Sequence, residues 1–135
     1  MEDKGTVIGV EHINELYKKS IENLSKSHKK LIDDGIIILI EGDGRKGYQE
    51  YAPYDCIHVG AACEKVPKSL VEQLKPGGRI MIPVGKYNQF IYLIDKDEKG
   101  NLTKNAALSV RYVPLTDKEK QLEKSETNIY GFWDL

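Results

Sequence analysis

The sequence predicts an α/β protein built on a mainly parallel sheet with an antiparallel edge. Two observations carry that expectation. Short apolar or β-branched runs (Thr6-Val-Ile-Gly-Val10, Ile36-Ile-Ile-Leu-Ile40, Tyr54-Asp-Cys-Ile-His-Val59) alternate with stretches that can hold helices. From Arg79 onward, strand-like runs follow one another with only turn residues between them. Parallel neighbours need a crossover that can accommodate a helix, whereas antiparallel neighbours can be joined by a tight turn, so the two halves of the pattern call for different pairing.

Taken in order, the first run stops at Glu11-His12. From Ile13 the apolar residues Ile13, Leu16, Tyr17, Ile21, Leu24 and Leu31 recur at near-helical spacing. Asp33-Asp34-Gly35 is a stop signal, after which Ile36-Ile-Ile-Leu-Ile40 reads as a buried parallel strand followed by a polar, glycine-rich loop from Glu41 to Gly47. The third strand, from Tyr54, exits through Gly60-Ala-Ala62. Pro67 suits the first position of a helix over Ser69-Leu-Val-Glu-Gln-Leu74, which ends at Lys75-Pro-Gly-Gly78. Arg79-Ile-Met-Ile-Pro-Val84 is the fourth strand. Phe90-Ile-Tyr-Leu-Ile-Asp95 and Ala107-Leu-Ser-Val-Arg-Tyr-Val113 flank a turn at 97–101 as a hairpin. The resulting class is α/β, Rossmann-like.

At 135 residues and 40% hydrophobic content the chain is expected to form a single soluble domain over residues 1–122, with 123–135 as a tail. The longest aliphatic run, five residues from Ile36, falls far short of the roughly 20 that span a membrane, so no membrane association is expected. Met1-Glu-Asp-Lys-Gly5 has neither the basic start nor the apolar stretch of a secretory signal, which makes the cytoplasm the expected location. Net charge is −1 and the 20 Lys and Arg are interspersed with acids, which gives no support to nucleic-acid binding.

Ligands of open α/β sheets sit beyond the carboxyl ends of the strands, which directs attention to Glu11, the 41–47 loop and Gly60 to Ala62. A carboxylate at a strand end, as at Glu11, can accept from both hydroxyls of a ribose; it can equally do no more than favour the positive end of the helix that follows. Gly42-Asp43-Gly44 lets the backbone approach a flat ring while Asp43 accepts from an exocyclic amine, and an ordinary turn explains it as well. Thr116-Asp-Lys-Glu119 has capping-box spacing. Cys56 and His58, one residue apart on a strand, share a face with Cys63 nearby, but a fourth ligand is lacking and no metal is expected. His12 and His28 have no partner identifiable from spacing, and no nucleophile elbow is present.

Read together, Thr6-Val-Ile-Gly-Val-Glu-His-Ile13, Gly42-Asp-Gly-Arg-Lys-Gly-Tyr48, Ala52-Pro-Tyr-Asp-Cys-Ile-His-Val-Gly-Ala-Ala62, Gln73-Leu-Lys-Pro-Gly-Gly-Arg79 and Tyr112-Val-Pro-Leu-Thr-Asp-Lys-Glu-Lys-Gln121 resemble the carboxy-terminal portion of the protein-L-isoaspartate O-methyltransferase family, eukaryotic members above all. The resemblance implies a Rossmann-like, S-adenosylmethionine-dependent methyltransferase fold. It implies methyl transfer to the carboxylate of isoaspartyl residues in damaged proteins, a protein-repair reaction with S-adenosylhomocysteine as product. By that likeness Glu11 would hold the cofactor ribose, Asp43 and Gly44 its adenine, and Thr116 and Gln121 would line its pocket. Gly60, Ala61 and Ala62 would border the substrate groove. A full-length member is expected to be monomeric.

The chain departs from the family at Cys56 and Cys63, where alanine is usual, and at Lys86-Tyr87-Asn88, where a longer glycine-rich loop is common. Family sequences run on upstream of the position Met1 occupies, through a substrate loop and a glycine-rich first strand-loop-helix. The strand of that missing unit lies in mid-sheet, so a gap is expected there, no residue of this chain is assigned as catalytic, and the isolated chain is expected to be weak or inactive. Two other readings stand beside this one: a truncated, non-catalytic family member, and half of a nicotinamide-dependent dehydrogenase, which also places an acid where Glu11 stands.

Overall fold

The structure, a computed structural model, describes residues 5–110. The element order is β1 (Val7–Glu11), α1 (Asn14–Asp33), β2 (Ile37–Glu41), β3 (Tyr54–His58), α2 (Lys68–Glu72), β4 (Leu74–Val84), β5 (Gln89–Lys96) and β6 (Leu102–Val110), with short 3-10 turns at Gly44–Lys46 and Gln49–Tyr51. By contact the chain divides between Gly44 and Arg45 into two compact units where the sequence reads as one domain. The physical counterpart of that division is in the strand pairing. β1 pairs with β2 in a 2-stranded sheet, and β3, β4, β5 and β6 form a separate 4-stranded sheet in that order. Among the described residues, no strand is hydrogen-bonded to the outer edge of β1 or of β3.

In the first unit β1 and β2 run parallel in register from Val7↔Ile37 to Glu11↔Glu41, with α1 as the crossover. α1 follows the predicted periodicity, and its half-buried residues include Leu16, Tyr17, Ile21 and Leu24. It kinks at His28, whose φ of −128° and ψ of 23° are not helical. Ser20 and Ser25 each donate a hydroxyl to the carbonyl four residues back, those of Leu16 and Ile21. None of the helix's residues is fully buried; Ile13, just ahead of it, is the buried anchor at 4% exposure.

In the second unit β3 runs parallel to β4, and β4, β5 and β6 are antiparallel. Ile80 and Ile82 of β4, both fully buried, form the core with Leu70, Leu74, Ile94 and Cys63. Their alternation with Arg79 and Met81 is the period of two that a strand imposes. The hairpin turn at 97–101 is where the sequence places it. Asp97 accepts from the backbone of Lys99 and Asn101 and from Asn101 Nδ2, an arrangement that holds its carboxyl below the usual carboxylate range.

Several boundaries differ from expectation, among them the end of α2, at Glu72 instead of Leu74. β4 begins at Leu74, not Arg79, because Tyr54 pairs with Leu74 before the register shifts. β6 begins at Leu102, not Ala107, because the antiparallel ladder with β5 extends to the pair Lys96↔Leu102. Pro67 is the N-cap of α2, with ψ of 128°, and the first helical residue is Lys68. Within Lys75-Pro-Gly-Gly78, Gly77 takes a positive φ of 84°, and Gly78 has no room for a side chain, since a Cβ would sit 2.8 Å from the carbonyl of Asp55.

Candidate functional site: the carboxyl rim of the parallel strands

Parallel register brings Glu11 opposite Glu41, and the Gly42 amide donates to the Glu11 carbonyl at 3.0 Å. Glu11, Gly42, Asp43 and Gly44, singled out from the sequence, therefore gather at the carboxyl end of one parallel pair, where open α/β sheets bind ligands. The Glu11 carboxylate already has a local task. Its Oε1 accepts from the amides of His12 (3.0 Å) and Ile13 (3.1 Å), which is the helix-start role. Among the described residues, Oε2 accepts from no donor. Glu11 is half-buried, and a carboxylate oxygen without a donor keeps its lone pairs for a hydroxyl.

Asp43 is half-buried and directly precedes the 3-10 turn Gly44–Lys46. Gly42 has no positive φ, and a Cβ there would meet Val10 and Ile40 side chains only at ordinary distances of 3.7 and 4.0 Å. The glycine that the backbone requires is Gly47, with φ of 61°. Glu41, which sequence reasoning passed over, accepts from Asn14 Nδ2 at 2.8 Å and so ties the end of β2 to the start of α1.

In the second unit the exit of β3 is anchored on β4: Val59 N–H donates to the Met81 carbonyl, Cys63 N–H to Pro83, and Gly85 N–H to Cys63. Gly60 is exposed with open space around it, Ala61 is half-buried, and Ala62 is buried at 1% exposure. Gly60 and Ala61 are thus open to solvent at this exit, while Ala62 is not. Cys56 and His58 both lie on exposed positions of β3, and Cys63 is buried, which pushes its thiol up to about 11. Among the described residues no three His, Cys, Asp or Glu side chains gather as metal ligands do, and no helix is long and apolar enough to cross a membrane. His28 sits at the kink of α1, its Nδ1 2.6 Å from Ser27 Oγ. Thr116 and Gln121 lie outside the described residues.

Sequence reasoning also missed Gln73, quoted only as a residue of the predicted helix and of a family motif. It is buried at 4% exposure, and its carboxamide bonds the backbone at Lys46 and Tyr48. Beside it Tyr48 and Tyr51 stack with ring centroids 5.7 Å apart. The Tyr48 phenol donates to Glu50, which raises its pKa to about 12; burial, then the neighbouring Tyr51, raises that of Tyr54.

The fold defines the class: α/β and Rossmann-like, in which ligands sit beyond the carboxyl ends of parallel strands. The chain belongs to the family described as protein-L-isoaspartate(D-aspartate) O-methyltransferase, whose sequence profile matches residues 1–120. It is 52% identical over 120 residues to protein-L-isoaspartate O-methyltransferase 2 of Arabidopsis thaliana, covering 88% of this chain and 39% of that protein. The Caenorhabditis elegans protein-L-isoaspartate O-methyltransferase is 46% identical over 123 residues, covering 90% of this chain and 54% of that one. Among solved structures, a Plasmodium falciparum protein-L-isoaspartate O-methyltransferase in complex with S-adenosyl-L-homocysteine superimposes with a TM-score of 0.75 at 28% identity. That match covers 84% of this chain and 53% of the other. The chain thus spans about half the length of such relatives, from 39% to 54%.

Proposed function

We propose that this chain is the carboxy-terminal part of an S-adenosylmethionine-dependent protein carboxyl methyltransferase that acts on isoaspartyl residues of damaged proteins, a repair reaction in the cytoplasm. The observation that carries the reading is the convergence of Glu11 and the Asp43-Gly44 loop at the end of one parallel strand pair, with Glu11 Oε2 available to a diol. Family membership supports it.

Bound S-adenosylmethionine supplies an electrophilic methyl group. Glu11 would orient the ribose, and Asp43 and Gly44 would engage the adenine; Thr116 and Gln121, which the family likeness assigns to the same cofactor, lie outside the described residues. Gly60, Ala61 and Ala62 border the groove for the peptide, Ala62 from behind. An isoaspartyl carboxylate is already ionised near neutral pH, so the reaction requires no strong base from the protein. The protein's contribution is to hold the nucleophilic oxygen in line and partly strip it of water. None of the residues 5–110 is assigned as catalytic, and the full-length enzyme is read as a monomer.

The test compares this chain with a form extended upstream from the genomic sequence, measuring methyl transfer to an isoaspartyl peptide and to its aspartyl twin. The extended form is expected to methylate only the isoaspartyl peptide. Failure of both forms on that peptide sinks the assignment, and activity of neither with intact S-adenosylmethionine binding leaves the non-catalytic family member as the reading.

A further inference from the structure

We propose that Gln73 is a positioning residue for the cofactor loop, holding the 46–48 backbone in one conformation so that Asp43 and Gly44, which lead directly into it, are presented ready for adenine. The proposal rests on the cofactor reading above and goes beyond it by naming what fixes the loop.

Gln73 spends both ends of a buried carboxamide on the loop. Its Oε1 accepts from the Tyr48 amide at 2.9 Å, and its Nε2 donates to the Lys46 carbonyl at 2.9 Å. The residue is itself immobilised, its amide donating to the Ser69 carbonyl at 3.0 Å and its carbonyl accepting from the Tyr54 amide at 2.8 Å. A third tether completes the set: the Tyr54 hydroxyl donates to the Tyr48 carbonyl. Gly47 lies between the two bonded residues in a left-handed conformation, and a Cβ on it would collide with the Gln73 carboxamide. The 3-10 turn Gly44–Lys46 joins this clamped segment to Asp43.

Burying an amide is costly unless both its ends are bonded, and an apolar side chain of similar volume would fill the space without that cost. What glutamine adds is a fixed loop. A loop that holds its binding-competent shape for one tenth of the time binds its ligand ten times more weakly, so a clamp acts directly on affinity.

The experiment uses Gln73→Met in the upstream-extended protein, with S-adenosylhomocysteine as probe. The Kd is expected to rise five- to tenfold and exchange of the Tyr48 amide to accelerate at least tenfold. KM for the isoaspartyl peptide and kcat at saturating S-adenosylmethionine should move less than twofold, which general damage to the fold would not allow. Tyr54→Phe removes only the third tether and is expected to weaken binding two- to threefold, giving a second reading should the glutamine variant not fold. Faster Tyr48 exchange with unchanged S-adenosylhomocysteine affinity would overturn the proposal, as would unchanged exchange. Wild-type protein that binds no S-adenosylhomocysteine overturns the cofactor reading and this proposal together, whereas wild-type binding with unaltered affinity in both variants overturns the clamp alone.

Discussion

The two compact units divide the labour of the chain unequally. The β1–α1–β2 unit has strands of five residues and a 20-residue helix with no fully buried side chain, yet it carries Glu11 and Asp43. The β3–β6 unit has an 11-residue central strand with Ile80, Ile82 and Pro83 fully buried, and its own candidate segment is the short exit around Gly60. Apolar burial supplies most of the stability of a fold, so the unit that carries Glu11 and Asp43 is the one less able to hold its own shape. The candidate cofactor residues thus sit in the thinly packed unit, and the proposed clamp residue Gln73, the C-cap of α2, belongs to the other.

That contrast can be broken by mutation. Ile82→Ala removes a fully buried side chain and is expected to destabilise the β3–β6 unit by about 2–4 kcal/mol, measured by denaturant unfolding. Leu39→Ala, at a half-buried position of β2, should cost about 1–2 kcal/mol by the same measurement; equal costs would remove the distinction between the units. Native-state hydrogen exchange sharpens it further, since amides in the β4–β5 ladder are expected to exchange more slowly than those in the β1–β2 pair.

The smallest effect belongs to the exposed pair Arg79–Asp95, 2.6 Å apart across β4 and β5. The guanidinium hydrogen bond lowers the Asp95 pKa below its ordinary 3.8. A depressed folded pKa stabilises above the unfolded value, and that stability disappears as pH falls through the folded one. Asp95→Asn should therefore leave a shallower acid limb below about pH 4 and only a slight loss at neutral pH, where screening weakens exposed pairs. A steeper acid limb in the variant would reverse the sign of this account.

The elements governed by local pattern were legible in the sequence. The periodic apolar residues of α1, the apolar run of β2 and the turn at 97–101 all lie where spacing and turn chemistry put them. Glu11 and the Gly42-Asp43-Gly44 loop were also legible, because strand ends in an α/β pattern mark the rim before any contact is known. What escaped was set by partners distant in sequence. β6 begins at Leu102 because β5 offers it a ladder, while Leu-Thr-Lys-Asn-Ala has little β-rich patterning of its own. Gln73 reaches back 25 and 27 residues to Tyr48 and Lys46, a pairing no spacing rule encodes; the one available signal was a polar residue next to the buried Leu74. Gly47, in the left-handed conformation, and not Gly42 proved to be where the loop needs its glycine.

The most direct measurement is calorimetric titration of S-adenosylhomocysteine and of NAD into the upstream-extended protein and its Glu11→Ala variant. Losing a charge-assisted acceptor of a ribose diol should weaken S-adenosylhomocysteine binding at least tenfold, about 1.4 kcal/mol or more. The account predicts one bound S-adenosylhomocysteine, that loss in the variant, and no detectable NAD binding; equal affinity in the two proteins, or binding of NAD at the same site, would contradict it.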